Sequence, residues 1–258
     1  MHPFVHLHVH SQYSLLDGQA SIQRLIDKAI GDGMKALALT DHGAMYGIKE
    51  FLNYASKKNA PVNAEIKKIK SEISELEKTG NEESLETGGQ GDEATRAQGD
   101  RETGRQGDRE KIGQLRQKLT EAENKLFKPI VGCECYVARR SRHLQSEKID
   151  GSGWHLVVLA KNLKGYKNLI KMVSKSWTEG FYYRPRIDKE LLEQYHEGLI
   201  VSSACLGGEI SRKIDSGQIQ EAEEAVQWFK NLFGEDYYIE LQRHKTDRID
   251  ADQTTYPK

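Results

Sequence analysis

Three histidines recur at every second position of an apolar run near the start of the chain, which reads FVHLHVHS over residues 4–11. Side chains at i and i+2 of a β-strand share one face, so His6, His8 and His10 would point to the same side. Two imidazoles about 6.5 Å apart along a strand can bind one metal ion or two neighbouring ions. Burying three polar rings without partners would be costly. A metal site is therefore favoured over core histidines that bind backbone carbonyls.

Further side chains of metal-ligating type follow other apolar runs. Asp17 lies in the turn after the histidine segment, and Asp41 and His42 end and follow the run KALALTD of residues 35–41. Cys205 follows the run LIVSS of residues 199–203, with one residue between. Ligands placed at the ends of several strands are typical of sites built on parallel sheets and barrels.

Glu134 lies between Cys133 and Cys135 in the predicted strand PIVGCECYVA, residues 129–138. Alternation turns the glutamate to one face and both cysteines to the other. If Glu134 faces the site, the two cysteines pack against helices as ordinary core residues. A thiolate clamp is the alternative, but the sequence holds no second cysteine pair to complete it.

A set of His, Asp, Glu and one Cys suits Zn²⁺, Mn²⁺ or iron better than Mg²⁺ alone. Neighbouring ions can clamp a phosphate, activate a bound water and stabilise a leaving oxygen, which favours phosphoester hydrolysis. The sequence has neither a Walker-type glycine loop nor a G-x-S-x-G elbow.

The composition bounds the class of protein. The 258 residues are 37% hydrophobic and carry a net charge of −1, so nucleic-acid binding would depend on a local basic patch. We expect no membrane span, and the first residues do not resemble a secretory signal. Three cysteines are too few for a disulfide framework, which favours a cytoplasmic protein.

Apolar periodicity predicts alternating strands and helices, and hence an α/β fold with a parallel sheet or a barrel. The expected strands are 4–10, 35–41, 129–138, 154–160, 198–204 and 236–242, and the expected helices are near 22–30, 46–58, 163–177, 188–196 and 218–233. Active residues should lie at the carboxyl ends of the strands. That rule favours His8 and His10 as ligands and leaves His6 as a deeper, structural ring. It gives no support to His155, which starts its strand.

Residues 61–128 interrupt the alternation. Two stretches of 3-4 apolar spacing, 66–76 and 112–126, flank a polar middle in which QGD recurs three times. This pattern predicts an antiparallel helical hairpin with a disordered tip.

Two motifs resemble those of the PHP (polymerase and histidinol phosphatase) family: the H-x-H-S of residues 8–11 and the TDHG of residues 40–43. Longer stretches, such as ALTDHGAMYG and the lysine-rich segment through FYYRPRID, are similar to PHP domains at the N-terminus of bacterial DNA polymerase III α subunits. The insert is similar to one in the Bacteroidetes type of these subunits. The resemblance implies a distorted (β/α)7 barrel with up to three metal ions, Zn or Mn. We expect barrel parts at 1–60 and 129–245, a hairpin insert at 61–128 and a polar tail at 246–258.

The resemblance implies seven metal ligands and thereby supports His155; they are His8, His10, Asp17, His42, Glu134, His155 and Cys205. Asp41 would orient a ligand from behind. The family closes its site with an N-D-x-H motif that this sequence lacks. We therefore expect an N-terminal fragment of a longer chain, one strand short of the complete barrel.

The resemblance also implies a role in DNA replication, as part of a DNA-directed DNA polymerase with metal-dependent 3′–5′ exonuclease proofreading. The expected partners are DNA, the remainder of the polymerase α subunit and other replicase subunits. Candidate phosphate-binding residues are Arg139, Arg140, Lys161, Lys164, Lys167, Arg184 and Arg186, although a solvated helix face is the commoner role for such lysines. Two alternatives stay open: a non-catalytic, metal-stabilised brace for the polymerase, and a phosphatase of the histidinol phosphate type.

Overall fold

The computed structural model describes residues 4–82 and 93–242, so the predicted polar tail at 246–258 and the tip of the insert lie outside the described residues. The helices are α1 Ile22–Gly31, α2 Ile48–Glu82, α3 Glu93–Glu123, α4 Glu147–Asp150, α5 Leu163–Thr178, α6 Lys189–Tyr195, α7 Glu209–Asp215 and α8 Ile219–Phe233. The strands are β1 Ala36–Leu39, β2 Lys128–Val137, β3 Trp154–Ala160, β4 Phe181–Tyr182, β5 Arg184–Ile187, β6 Leu199–Ser202 and β7 Tyr237–Tyr238. None of the described helices has the length and apolar character that a membrane crossing requires.

Strand β2 is the centre of a seven-stranded sheet. Its first half pairs in parallel with β1, and its second half pairs with β3 on one side and β5 on the other. Strands β6 and β7 extend the sheet beyond β3, and within the described residues the sheet is not closed. This is the predicted α/β architecture of a PHP barrel, but its sheet is mixed: β3 runs antiparallel to β2 and β6, and β4 runs antiparallel to β5.

Alternation along β2 divides its side chains as predicted. Cys133 and Cys135 are buried in the main core, together with Leu169 of α5, Leu191 of α6 and Phe229 of α8. Apolar surface removed from water at this layer contributes roughly 25 cal/mol per Å². The opposite face of β2 is thereby left for Glu134.

The first described residues do not form the predicted strand. Only two backbone bonds join them to β1 and its end, from Ala38 N to His6 O and from Thr40 N to Val9 O, both 2.9 Å. The two acceptors, His6 and Val9, are three residues apart, whereas the two donors, Ala38 and Thr40, are two residues apart. The unequal spacing prevents a regular ladder. His6 is exposed and its ring meets that of Phe4 edge-on, so the prediction of a deeper, structural His6 is wrong.

The predicted hairpin is present as two helices, although its first helix begins earlier than expected. Its second helix, α3, includes two of the three QGD repeats, where the sequence predicted disorder. Helix α2 continues through Pro61, joining the predicted helix at 46–58 to the insert. Helices α2 and α3 pack through a separate apolar cluster that includes Ile66, Ile69, Leu115 and Ala122. At its base, the Asn59 amide bonds both the backbone N and O of Phe127, at 2.9 and 2.8 Å.

Arg186 of β5 is fully buried, which the sequence did not indicate. Its guanidinium donates five hydrogen bonds of 2.8–3.1 Å to backbone carbonyls, those of Gly180, Leu144, Asp150 and Arg142. A buried cation is tolerated only when its donors are satisfied in this way. Arg186 therefore ties the loop before α4 to strand β5.

We expect Arg186→Ala to lower the free energy of unfolding by about 3 kcal/mol or more, because it leaves several buried carbonyls without donors. The matched control is Arg184→Ala in the same strand, an exposed position where about 0.5 kcal/mol or less is expected. Urea denaturation followed by circular dichroism measures both. Equal stability of the two variants would contradict a structural role for Arg186.

We also expect replacement of residues 62–125 by a short Gly/Ser linker to preserve the cooperative unfolding transition and the metal content. The reason is that the hairpin core is separate from the sheet core and Asn59 closes its base. Thermal denaturation and elemental analysis test this. Ile66→Asp with Leu115→Asp in the full chain is the matched control and should lower helicity alone. Loss of metal from the shortened chain would show that the hairpin belongs to the barrel.

Candidate metal centre

The segment that carries the first two histidines is held by the end of β1. Val9 N donates to Thr40 Oγ1 at 2.8 Å. The Val9 side chain packs into the core of α1 and α2. With Val9 turned inward, alternation sends His8 and His10 to the other side, where both are half-buried. The pattern of the sequence thus holds locally although no regular strand forms.

Asp41 organises the loop that follows. Its buried carboxylate accepts from Ser11 N at 2.7 Å, from the Ser11 hydroxyl and from the Ser14 hydroxyl at 2.8 Å. Ser14 Oγ in turn accepts from His42 N at 3.0 Å. Asp41 therefore orients the backbone around His10 and His42 without touching either imidazole, and its predicted role of orienting a ligand stays a prediction.

Glu134 lies at the middle of the centre and is only 2% exposed. Its Oε2 is 2.7 Å from His10 Nε2, 3.2 Å from His8 Nε2 and 3.7 Å from His42 Nε2. Its Oε1 is 3.0 Å from His155 Nδ1. Burial alone would raise the pKa of Glu134, but hydrogen bonds from His10, His155 and His8 hold it far below its usual range. The carboxylate is therefore ionised.

Two of the surrounding imidazoles have strongly raised pKa values. Burial opposes protonation of His8, but its bonds to Glu134 and Glu240 outweigh burial and raise the pKa to about 10. For His155 the same opposition is outweighed by Cys205 and Glu134, and the pKa rises to about 9. A cation that binds these nitrogens must displace protons, so its affinity falls as the pH falls.

His42 behaves differently. Its Nδ1 is 2.9 Å from the Asp17 carboxylate, which can only accept, so Nδ1 carries the proton. Burial lowers the pKa of His42 and keeps the ring neutral. The ring stacks on Tyr136, with centroids 4.1 Å apart. Its Nε2 is buried without a hydrogen-bond partner, so a bare lone pair faces the centre.

Strand β3 positions His155, which the rule on strand ends did not support as a ligand. Because β3 is antiparallel to β2 and β6, its start lies at the end of the sheet where β2 finishes. His155 consequently reaches Glu134, and Cys205 Sγ lies 3.4 Å from His155 Nδ1. Gly207 lies so close that an added Cβ would be 2.7 Å from that nitrogen, which leaves room for glycine alone.

The structure thus brings together all seven predicted ligands. Three sets of residues each place their donor atoms within 4.8 Å of one another. The sets are His8, His10 and Glu134; His10, Asp17 and His42; and His42, Glu134 and His155. Nitrogen, carboxylate and thiol donors of this kind suit Zn²⁺ or Mn²⁺. The unpartnered Nε2 of His42 also fits a metal ligand. Their role as ligands stays a prediction.

Glu240 is a further member of the centre that the sequence analysis missed. Its Oε1 is 2.9 Å from His8 Nδ1, and its Oε2 accepts from Ser202 Oγ at 2.8 Å. Burial would raise the pKa of Glu240, but the bond from His8 lowers it, so the ionised carboxylate must accept the Nδ1 proton. This leaves His8 Nε2 facing the centre, as outer carboxylates do for metal-bound histidines. The sequence signal for Glu240 was its position near the end of the predicted strand 236–242.

The seven predicted phosphate-binding residues do not form one surface. Arg186 is buried, as described above, and has no donor left for a phosphate. Arg140 pairs with Asp150, Lys161 with Asp236 and Lys164 with Glu197.

The remaining three candidates are exposed. Arg139 lies over the Trp154 ring at 4.4 Å. Arg184 lies over the Tyr136 ring at 5.7 Å, one ring away from His42, and Lys167 projects from α5. Of the predicted residues, Arg184 is the best placed to meet a phosphate at the centre.

Comparison with known proteins agrees with this geometry. The family model of the PHP domain matches residues 6–78 and 107–244, so the chain belongs to the PHP domain family. It is 38% identical over 242 residues to the DNA polymerase III subunit alpha of Borreliella burgdorferi, covering 93% of this chain and 15% of the relative.

Other relatives carry the same name. The chain is 39% identical over 246 residues to the protein of Treponema pallidum, covering 95% of this chain and 15% of the relative. It is 32% identical over 250 residues to that of Deinococcus radiodurans, covering 93% and 14%. The predicted resemblance to PHP domains of DNA polymerase III α subunits is therefore confirmed, while the Bacteroidetes type stays a prediction. The chain spans about 15% of the length of these curated relatives.

We expect Glu240→Gln to weaken Zn²⁺ binding about tenfold and Glu240→Ala up to about 100-fold, because an outer carboxylate fixes the tautomer and orientation of its histidine. Competition against a chromophoric chelator measures the affinity. Glu235→Gln is the matched control, because this exposed carboxylate lies just before β7. It should bind Zn²⁺ as the parent does. Parent-like affinity of Glu240→Gln and Glu240→Ala would exclude the orienting role.

Proposed function

We propose that this chain is the N-terminal PHP domain of a replicative DNA polymerase α subunit and that its centre hydrolyses phosphodiesters in a metal-dependent reaction. The observation that carries the proposal is the convergence of imidazoles, carboxylates and a thiol from separate parts of the chain on the buried Glu134. We further propose 3′–5′ exonuclease proofreading as the activity of the centre, with Zn²⁺ or Mn²⁺ in up to three positions.

When bound, such ions polarise the phosphate, lower the pKa of a water and stabilise the leaving oxygen. The residues of the chain do the positioning. Glu240 holds His8 with Nε2 inward, Asp17 does the same for His42, and Tyr136 fixes the plane of the His42 ring by stacking. These contacts set the donor geometry before any substrate arrives, which is the contribution a protein makes to such chemistry.

Arg184 supplies the positive charge at the rim. Its guanidinium stacks over Tyr136, is exposed, and forms a planar fork that suits two phosphate oxygens. We propose that it binds the scissile or the adjacent phosphate. Arg139 and Lys167 remain candidates for more distant phosphates, whereas Arg140, Lys161 and Lys164 would first have to leave their carboxylate partners.

The whole protein would be a DNA-directed DNA polymerase acting in the cytoplasm. The relatives named above are polymerase subunits of which the matched region is about 15%. We propose DNA, the remainder of the α subunit and other replicase subunits as its partners.

One observation also favours the second function, a metal-stabilised brace. The ligands come from positions 8 to 205 along the chain, so bound ions would join the first segment, β2, β3 and the loop after β6. Metal binding of this kind contributes directly to folding free energy. The two functions differ in whether hydrolysis accompanies binding.

The test uses His8→Ala with His10→Ala. We expect the parent chain to bind Zn²⁺ or Mn²⁺ and to shorten a 5′-labelled single-stranded oligonucleotide from its 3′ end. The double variant should lose both the metal and at least 100-fold of the hydrolysis rate, because two donors are removed from the metal groups. His6→Ala is the matched control in the same segment, since His6 is exposed outside the centre.

Unchanged metal content in the double variant would refute the metal centre. Metal bound by the parent chain without hydrolysis, together with a melting temperature that falls on chelation, would favour the brace. Turnover of histidinol phosphate with no action on DNA would favour the phosphatase alternative instead.

A further inference from the structure

A groove near the loops that follow His10 and His42 is lined by tyrosine and lysine side chains, together with two amides and one glutamate. It has a volume of about 510 Å³ and lies between the loop after His10, helix α1 and the start of α2. We propose that this groove binds single-stranded nucleic acid and leads the strand to the metal centre. The inference rests on the proposed function, to which it adds the path of the substrate.

The groove starts at the two loops that carry metal ligands. Tyr13 follows His10 by three residues, and Tyr46 follows His42 by four. A chain spans at most about 3.6 Å per residue, so their Cα atoms lie within about 11 and 14 Å of those of the ligands. Two lining residues of the groove therefore lie within about 14 Å, Cα to Cα, of a predicted ligand.

Aromatic faces continue along the rim. The Tyr46 side chain is 63% exposed and faces the Trp177 ring, with centroids 6.2 Å apart. Trp177 stacks on the exposed Phe181 at 5.5 Å, and its Nε1 donates to Gly43 O at 2.8 Å. This bond anchors the platform next to His42. Exposed rings of this kind stack unpaired bases, which present a flat face whatever their sequence.

Charge in the groove favours a polyanion. The lining holds two lysines against one acid, Glu50, whose carboxylate accepts from the Tyr13 hydroxyl at 3.1 Å. Lys49 and Lys57 lie on one face of α2 with Asn53 between them. Both lysines are exposed, and in the part of the chain that the structure describes neither forms an ion pair.

The chemistry of the lining also argues against a peptide partner. The lining residues are tyrosines, lysines, amides and Glu50, without an aliphatic side chain among them. Grooves that bind an amphipathic helix are lined by apolar side chains. Aromatic rings interleaved with lysines are the pattern of single-strand binding surfaces.

The experiment measures binding of a fluorescein-labelled oligothymidylate to the 258-residue chain by fluorescence anisotropy, in EDTA and over a range of salt concentrations. We expect Lys49→Glu with Lys57→Glu to weaken binding at least tenfold and to reduce the salt slope by about 1.4, the value for two phosphate contacts on a single strand. Lys67→Glu with Lys118→Glu on the hairpin is the matched control and should change neither quantity.

A second variant tests the aromatic contribution. Tyr46→Ala should weaken binding about tenfold with an unchanged salt slope, and Tyr46→Phe should restore it, because stacking depends on the ring and not on the hydroxyl. Circular dichroism checks that each variant is folded.

Equal oligothymidylate binding by the parent and the Lys49/Lys57 variant would overturn the inference. A protein partner would then be the alternative occupant of the groove. An equal loss in the hairpin control would also overturn it. Because EDTA is present, these results do not depend on hydrolysis. Failure of the proposed function is recorded separately, as absence of metal-dependent hydrolysis of bis(4-nitrophenyl) phosphate by the parent chain.

Discussion

The candidate metal centre depends on the buried negative charge of Glu134. Glu134 is ionised and almost entirely withdrawn from solvent, in the middle of the strand that pairs with β1, β3 and β5. An unpaired carboxylate there would cost several kcal/mol or more. The imidazoles of His8, His10 and His155 contact the carboxylate at 2.7–3.2 Å. Bound cations would compensate the same charge, so the stability of the barrel and the composition of the centre obey one constraint.

That constraint explains the reversed strand. A parallel β3 would carry its first residues to the far end of the sheet, away from Glu134. The antiparallel pairing of Tyr136 with His155 puts the start of β3 beside the end of β2. The loop after β6 then closes over the histidine, where Gly207 O accepts from His155 N at 3.0 Å. Strand direction, in other words, is part of how the centre is built.

Local pattern predicted local structure well. Alternation separated Glu134 from its flanking cysteines, and apolar spacing located most helices and both halves of the hairpin. Periodicity reports which face is buried but not which partner buries it. For that reason it missed the direction of β3 and the bond between His8 and Glu240, 232 residues apart. Arg184 and Arg186 look alike in sequence, yet one is exposed and the other fully buried.

Backbone strain marks the same region. In the described residues, the non-glycine positions with positive φ are Leu16 at 72°, Tyr183 at 57° and Ala204 at 60°. They adjoin Asp17, Arg184 and Cys205 respectively. Such conformations cost about 1–3 kcal/mol each and persist only where the surrounding structure fixes them. Asp17 and Cys205 are predicted ligands and Arg184 lies over Tyr136, which stacks on His42, so three loops from distant parts of the chain bear strain at or near the candidate centre.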